Sequence, residues 1–264
     1  MSFIFDLFLQ AWPVMALIDL ARYAIAASVM ALLVFTIARL GFGPGRIQVR
    51  RATGRDYFRE IALSLRSVVI FSLNGFAIYA LVTTGVIVLP QTLEAAGGWV
   101  GIAASLAAVL IAHDTWFYWT HRLMHWPKLA RHIHRAHHRS SAPTPFAAYA
   151  FDTTEAVIQS VFLTVFLLVL PAHPLMISLF LLIMIVRNVM GHAGVEFHPA
   201  IFAPGRALGW ITTTTHHDLH HQTGRWNFGL YFTWWDRLMG TEHPDYAARF
   251  HDARCRRLPQ PLDA

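Results

Sequence analysis

The stretch WVGIAASLAAVLIAHDTWFYWTHRLMH, residues 99–125, decides the fold class. Its first part, Trp99 to about Trp119, is an apolar run of the length that crosses a bilayer as a helix, about 20 residues. It leads into His121-Arg-Leu-Met-His125, whose two imidazoles fall one turn apart on the same helix face. A span that delivers two histidines at its end is an element built around a site, and the rest of the chain reads outward from it.

The composition agrees with a lipid setting. The 264 residues are 55% hydrophobic and 14% charged, where a soluble domain carries about 25% charge. Four more apolar runs accompany the first: Tyr23–Leu40, Val68–Leu89, Ala156–Leu170 and Leu175–Val186. The approach Phe3–Ile18 is apolar too, but Asp6, Asp19 and Arg22 give it an interfacial reading. The last two runs are short and are joined by Pro171-Ala172-His173-Pro174, which predicts a hairpin that dips in and returns. Gly41-Phe42-Gly43-Pro44-Gly45 reads as a helix terminator and lacks the spacing of a phosphate cradle.

Orientation follows from the basic residues in short loops. Arg46, Arg50, Arg51, Arg55 and Arg59 follow the run Tyr23–Leu40, and Arg122, Lys128, Arg131, Arg135 and Arg139 follow Trp99–Trp119. The loops 91–98 and 171–174 have none. This alternation places segments 41–60, 120–155 and 191–264 in the cytoplasm. The expectation is an all-α, polytopic membrane protein with four to five membrane-embedded helices and a cytoplasmic helical cap carrying a histidine-rich di-metal site. It forms one domain, 1–264: N-terminal spans over 1–97, a catalytic region over 98–242, and a tail over 243–264. No basic n-region or small-residue cleavage site opens the chain, so no signal peptide is expected. The setting expected is a bacterial inner membrane. The net charge of +6 is spread over loops that flank spans, which argues against nucleic acid as a partner. The single cysteine, Cys255, excludes an internal disulfide and any C-x-x-C site.

The compositional anomaly is histidine: 16, against 15 Asp plus Glu. Three clusters hold half of them, His121/His125, His134/His137/His138 and His217/His220/His221. Spacings of three and four turn each cluster toward one point on a helix. Eight donors exceed the four of a structural zinc ion and suit two metals. A metal-buffering tract would be continuous and disordered; these clusters have helix periodicity and aromatic flanks. The residues alone would accept iron or zinc. Asp114 lies seven residues before His121 and eleven before His125, within about 20° of their stripe. An acid in a span is costly and usually functional, so Asp114 is expected to accept an imidazole N–H and orient it. Asp218, Glu155 and Glu196 are weaker candidates for that role. The rings Trp116, Phe117, Tyr118 and Trp119 read either as an interfacial belt or as the lining of a lipid tunnel.

The pattern resembles the fatty acid hydroxylase / sterol desaturase superfamily. The run His113–His125 is similar to its first histidine box with its lead-in, Gly191-His192-Ala193-Gly194 to its intermediate histidine element, and 224–229 with 235–241 to its closing segment. The resemblance covers residues 105–242. It implies two Fe that activate O2 and attack an unactivated C–H bond of a lipid; zinc can occupy such a site in a purified sample. The ligands it implies are His121, His125, His134, His137, His138, His217, His220 and His221, with His192 as a ninth. His113, His198 and His216 are candidates for a tenth. His132, His173, His243 and His251 are read as structural or surface residues.

A lipid hydroxylase leads, with a lipid or sterol desaturase on the same site as the alternative. A membrane metal transporter would place its ligands along a path through several spans, and an intramembrane zinc hydrolase would carry H-E-x-x-H, which is absent. No dinucleotide fingerprint or haem motif appears, so an external electron donor (ferredoxin, cytochrome or reductase) is implied.

Overall fold

The computed structural model describes residues 2–40, 46–48 and 50–255. The glycine-rich 41–45 segment and the tail beyond residue 255 lie outside them. Ten α-helices follow in order: α1 (Ser2–Leu40), α2 (Gly54–Thr83), α3 (Gly98–Met124), α4 (Pro127–Ile133), α5 (Arg135–His138), α6 (Thr153–Val169), α7 (Pro174–Gly191), α8 (Thr214–Thr223), α9 (Trp234–Leu238) and α10 (Tyr246–Cys255). Among the described residues β-pairing is confined to two isolated bridges. The all-α expectation is met.

Four helices, α1, α2, α3 and α7, are long and apolar enough to cross a membrane; α6, with 17 residues, is the shorter apolar helix that pairs with α7. Large apolar side chains such as Phe5, Leu17, Ile25, Leu32 and Phe35 lie exposed along α1. In water so continuous an apolar surface would aggregate, whereas in lipid it costs nothing.

The first helix is one unbroken element that runs through residues 3–18 into the first apolar run of the chain. An isolated Asp or Arg at the centre of a span costs about 2.5–3.5 kcal/mol. Here Arg22 donates to Asp19 Oδ1 at 2.7 Å, an i,i+3 pair that offsets both charges and lets the helix continue. The second helix starts 14 residues earlier than Val68, because the Asp56 carboxylate accepts the Thr53 N–H at 2.9 Å and fixes its first turn. It ends at Thr83, before Pro90: Gly85 takes φ +75°, and the N–H groups of 84–87 turn back onto the carbonyls of 80–82.

Two apolar clusters organise the bundle. One gathers Tyr23, Ala27, Val68, Tyr149, Phe151 and Ile185, beside the turn Pro145–Tyr149. The other gathers Ile87, Val109, Phe162, Leu167, Met176 and Phe180, toward the opposite ends of the helices. The short helices α4, α5, α8, α9 and α10, with the end of α3, form a polar cap beyond the first cluster.

Candidate metal centre

The cap brings nine histidines together in two groups. His121, His125, His134, His138 and His220 form one; His137, His192, His217 and His221 form the other. Within each group the ligand nitrogens lie within 4.8 Å of one another. All nine are the residues singled out from sequence. The grouping cuts across the sequence clusters for a helical reason. His134 and His138 are i,i+4 partners, as are His217 and His221, while His137 and His220 are offset around their helices and reach the opposite group.

The tautomers follow from the acceptors around the rings. His121 Nδ1 meets the Phe228 carbonyl at 3.1 Å, His220 Nδ1 the Trp226 carbonyl at 2.7 Å, and His192 Nδ1 the Asn188 carbonyl at 2.7 Å. The Glu155 carboxylate stands 2.8 Å from His134 Nδ1. Each supported ring holds its proton on Nδ1 and turns its Nε2 lone pair inward.

Those lone pairs face one another closely. The Nε2–Nε2 separations are 3.1 Å for His121–His134, His125–His138, His125–His220 and His138–His220. In the second group they are 3.1 Å for His192–His217 and 3.2 Å for His221 with both. Proton-free nitrogens at that distance repel unless a cation lies between them. Metal–nitrogen bonds of about 2.0–2.1 Å put donors of one shell about 2.9–3.4 Å apart, the spacing seen here. The residues present therefore fit a transition-metal ion in each group.

Electrostatics points the same way. Burial and the neighbouring rings of His121 and His138 push His125 down to about 2. Burial holds His138 and His192 at about 4 against the support of their backbone partners. His134, His137, His217, His220 and His221 fall well below the usual histidine range, first through burial and then through one another. The set is thus poised neutral at physiological pH, as metal ligands must be. Gly191 makes room for it: a Cβ there would lie 3.3 Å from the His217 ring.

Asp114 is corrected. It bonds no imidazole; its Oδ1 accepts the backbone N–H groups of Leu230, Tyr231 and Phe232 at 3.3, 2.7 and 3.2 Å. Its angle on the helix was read correctly, but seven residues place it about 10 Å below His121, too deep to touch a ring. Its effect on the centre passes through the loop it anchors. Asp236 completes that loop, accepting the Phe228 and Gly229 N–H groups at 2.8 and 2.9 Å. The result is the fixed placement of the Trp226 and Phe228 carbonyls against His220 and His121. Asn227 supports the same turn with φ +59° and donates to the His216 carbonyl. The Trp235-Asp236 pair in the closing segment was the sequence signal for this anchor.

The other candidates separate cleanly. Glu155 takes the orienting position. Asp218 accepts from Gln48 at 2.8 Å, and Glu196 accepts from Thr215 N and stands 2.7 Å from His198 Nδ1. None of the three candidate tenth ligands belongs to either group. His113 meets the Tyr231 hydroxyl at 2.8 Å, His198 lies between Glu196 and Arg187, and His216 stands 3.3 Å from Asp236. His132 and His251 are exposed, and the His173 ring caps the start of α7.

An apolar cavity of about 110 Å³ lies among α1, α2, α3, α6 and α7, lined by Phe71, Ile78, Phe117, Tyr149, Phe162 and Phe180 among others. Phe117 packs on His121 with ring centroids 4.9 Å apart, and Phe151, also in the lining, on His137 at 5.2 Å. The cavity therefore abuts the ligand shell of both groups. Of the aromatic lead-in, Phe117 lines the cavity, while Trp119 is exposed.

Comparison with known proteins finds related sequences. Rat lathosterol oxidase (Rattus norvegicus) is 31% identical over 188 residues, 70% of this chain and 61% of that protein. A Delta(7)-sterol 5(6)-desaturase of Gibberella zeae is 34% identical over 145 residues, 54% of this chain and 43% of that protein. Methylsterol monooxygenase 1 of Rattus norvegicus is 27% identical over 156 residues, 58% of this chain and 52% of that protein. The chain thus spans about three-fifths or less of the length of these relatives. No solved structure matches it. The sequence profile described as fatty acid hydroxylase matches residues 106–241, the segment that holds all nine converging histidines, and the chain belongs to that family.

Proposed function

We propose that this chain is an O2-dependent di-iron enzyme that oxidises a C–H bond of a membrane lipid. The observation that carries the reading is the convergence of nine neutral imidazoles, their Nε2 lone pairs inward, beside an apolar cavity. Two irons, which the groups of five and four would hold, would supply the oxidising chemistry toward a C–H bond that no side chain can perform. The chain's own residues do the rest. The Phe228, Trp226 and Asn188 carbonyls and Glu155 orient the rings and make them better donors. Phe117 and Phe151 wall the centre off from bulk water on the cavity side and hold an apolar substrate against it.

Hydroxylation is the leading outcome. Desaturation is the second reading, favoured by the relatives named lathosterol oxidase and Delta(7)-sterol 5(6)-desaturase. A sterol-like or fatty acyl substrate accords with both. The chain is treated as one membrane-embedded unit in which 98–242 carries the chemistry and 1–97 supplies spans and cavity wall. The positive-inside count supports a cytoplasmic cap, and its exposed arginines suit an acidic external electron donor.

The test is anaerobic iron loading, addition of O2 and a chemical reductant in the presence of extracted lipids, and mass spectrometry. A product heavier by one oxygen or lighter by two hydrogens, dependent on iron, is expected. Iron-loaded protein that changes no lipid class would overturn the reading.

A further inference from the structure

Besides its apolar rings the cavity wall holds Asn74, His113, Gln159, Ser160 and Asn188, each of which bonds a protein partner. Asp19 and Arg22 of α1 and Tyr149 of the 145–149 turn meet in its wall. The carboxylate and guanidinium are paired at 2.7 Å, yet Arg22 Nε remains buried with no partner. Tyr149 is 1% exposed, and its hydroxyl is likewise buried and unpartnered. Tyr23, next to Arg22, stacks on Tyr149 at 5.6 Å and donates to the Phe146 carbonyl at 2.9 Å, which fixes the turn against the helix. Buried donors without acceptors are rare in folded proteins, and here two of them border one cavity.

We propose that this pole binds the hydroxyl of a neutral lipid alcohol, with the apolar body of the lipid running toward Ile78, Leu163 and Phe180. A hydroxyl oxygen has two lone pairs and can accept from Arg22 Nε–H and Tyr149 O–H, while its own proton is offered to the Asp19 carboxylate. The charge balance selects the class. The guanidinium is already matched by Asp19, so a fatty acid carboxylate would meet a second negative charge. A hydrocarbon or an ether leaves donors or the carboxylate unanswered, and a site built for a hydroxyl rejects analogues that lack it. The pole also sets direction. Phe151 lies 6.3 Å from Tyr149 and 5.2 Å from His137, ring to ring, so the hydroxyl end is the end near the metal ligands.

This inference rests on the reading of the centre as a lipid oxidase, and its test needs no turnover. The full chain, iron-loaded in phosphatidylcholine nanodiscs, is irradiated with a diazirine-bearing C18 primary alcohol. The matching methyl ether and carboxylic acid serve as comparisons, and labelled residues are mapped by mass spectrometry. The alcohol is expected to label cavity residues at least tenfold more than the ether or the acid. Tyr149→Phe and Asp19→Asn should each reduce its labelling several-fold toward the ether's. Equal labelling by alcohol and ether, or preferred labelling by the acid, would overturn the proposal, and this comparison on the unaltered chain stands even if a variant fails to fold. Selective labelling without iron-dependent oxidation would uphold the pole and sink the oxidase; oxidation without selective labelling would do the reverse.

Discussion

The two histidine groups are built differently. In the group of five, His121 and His220 are tied to carbonyls, and His134 Nδ1 stands 2.8 Å from the Glu155 carboxylate, out of hydrogen-bond alignment. In the group of four, His192 is tied to the Asn188 carbonyl, but His137 and His221 have no partner at Nδ1. The group of five is partly open at His125 and His138, whereas the group of four is buried throughout. The group of five thus has two rings tied to carbonyls and one donor more than the group of four, which has one ring so tied. Robustness to loss of a ligand should therefore differ between them.

The largest effect should come from removing a ligand where none is spare. His217→Ala leaves three imidazoles in its group, and iron per chain should fall from two toward one; His138→Ala leaves four in the other and should retain most of both. Equal losses, measured by metal analysis of the purified variants, would break the comparison. Acid comes next. His138 and His192 are held at about 4, below the ordinary 6.5, so below pH 6.5 the unfolded chain binds protons that the folded chain does not. Stability and metal retention should be full above that value and decline as pH falls toward 4, with one residue from each group titrating in the same window. A melting temperature and iron content flat between pH 7 and 4 would contradict this.

A smaller effect is expected at the orienting shell. Glu155→Ala removes the partner of His134 and should weaken the group of five by about 10–100-fold in metal affinity while sparing the group of four. Competition with a chelator, read separately for the two irons, checks this. Smallest is Asp114→Asn, which weakens the hydrogen bonds to the 230–232 backbone by about 1–3 kcal/mol. It should lower the melting temperature by a few degrees and loosen His121 and His220 through their carbonyl partners, with His192 unaffected. Metal loss centred on the group of four would show that the loop does not act in the way described.

The histidines were legible in the sequence because helix periodicity is local: spacings of three and four fix which rings share a face. Their division between two groups was not, since it depends on how α5 and α8 face each other. Glu155 illustrates the same barrier. It lies 21 residues from His134 in sequence and meets it only because α6 packs beside the cap. Asp114 was misread because a helical wheel records angle and discards depth.

The crossing of His137 and His220 between groups has a mechanical consequence. Among the described residues no carboxylate belongs to either group, so no acidic side chain ties the two ions together. What links them is the screw of two short helices: α8 sends His217 and His221 one way and His220 the other, and α5 does the same with His137 against His138. The separation of two bound ions would then be a property of backbone geometry, set before either arrives, and a twist of either helix would strain both sets of donors at once.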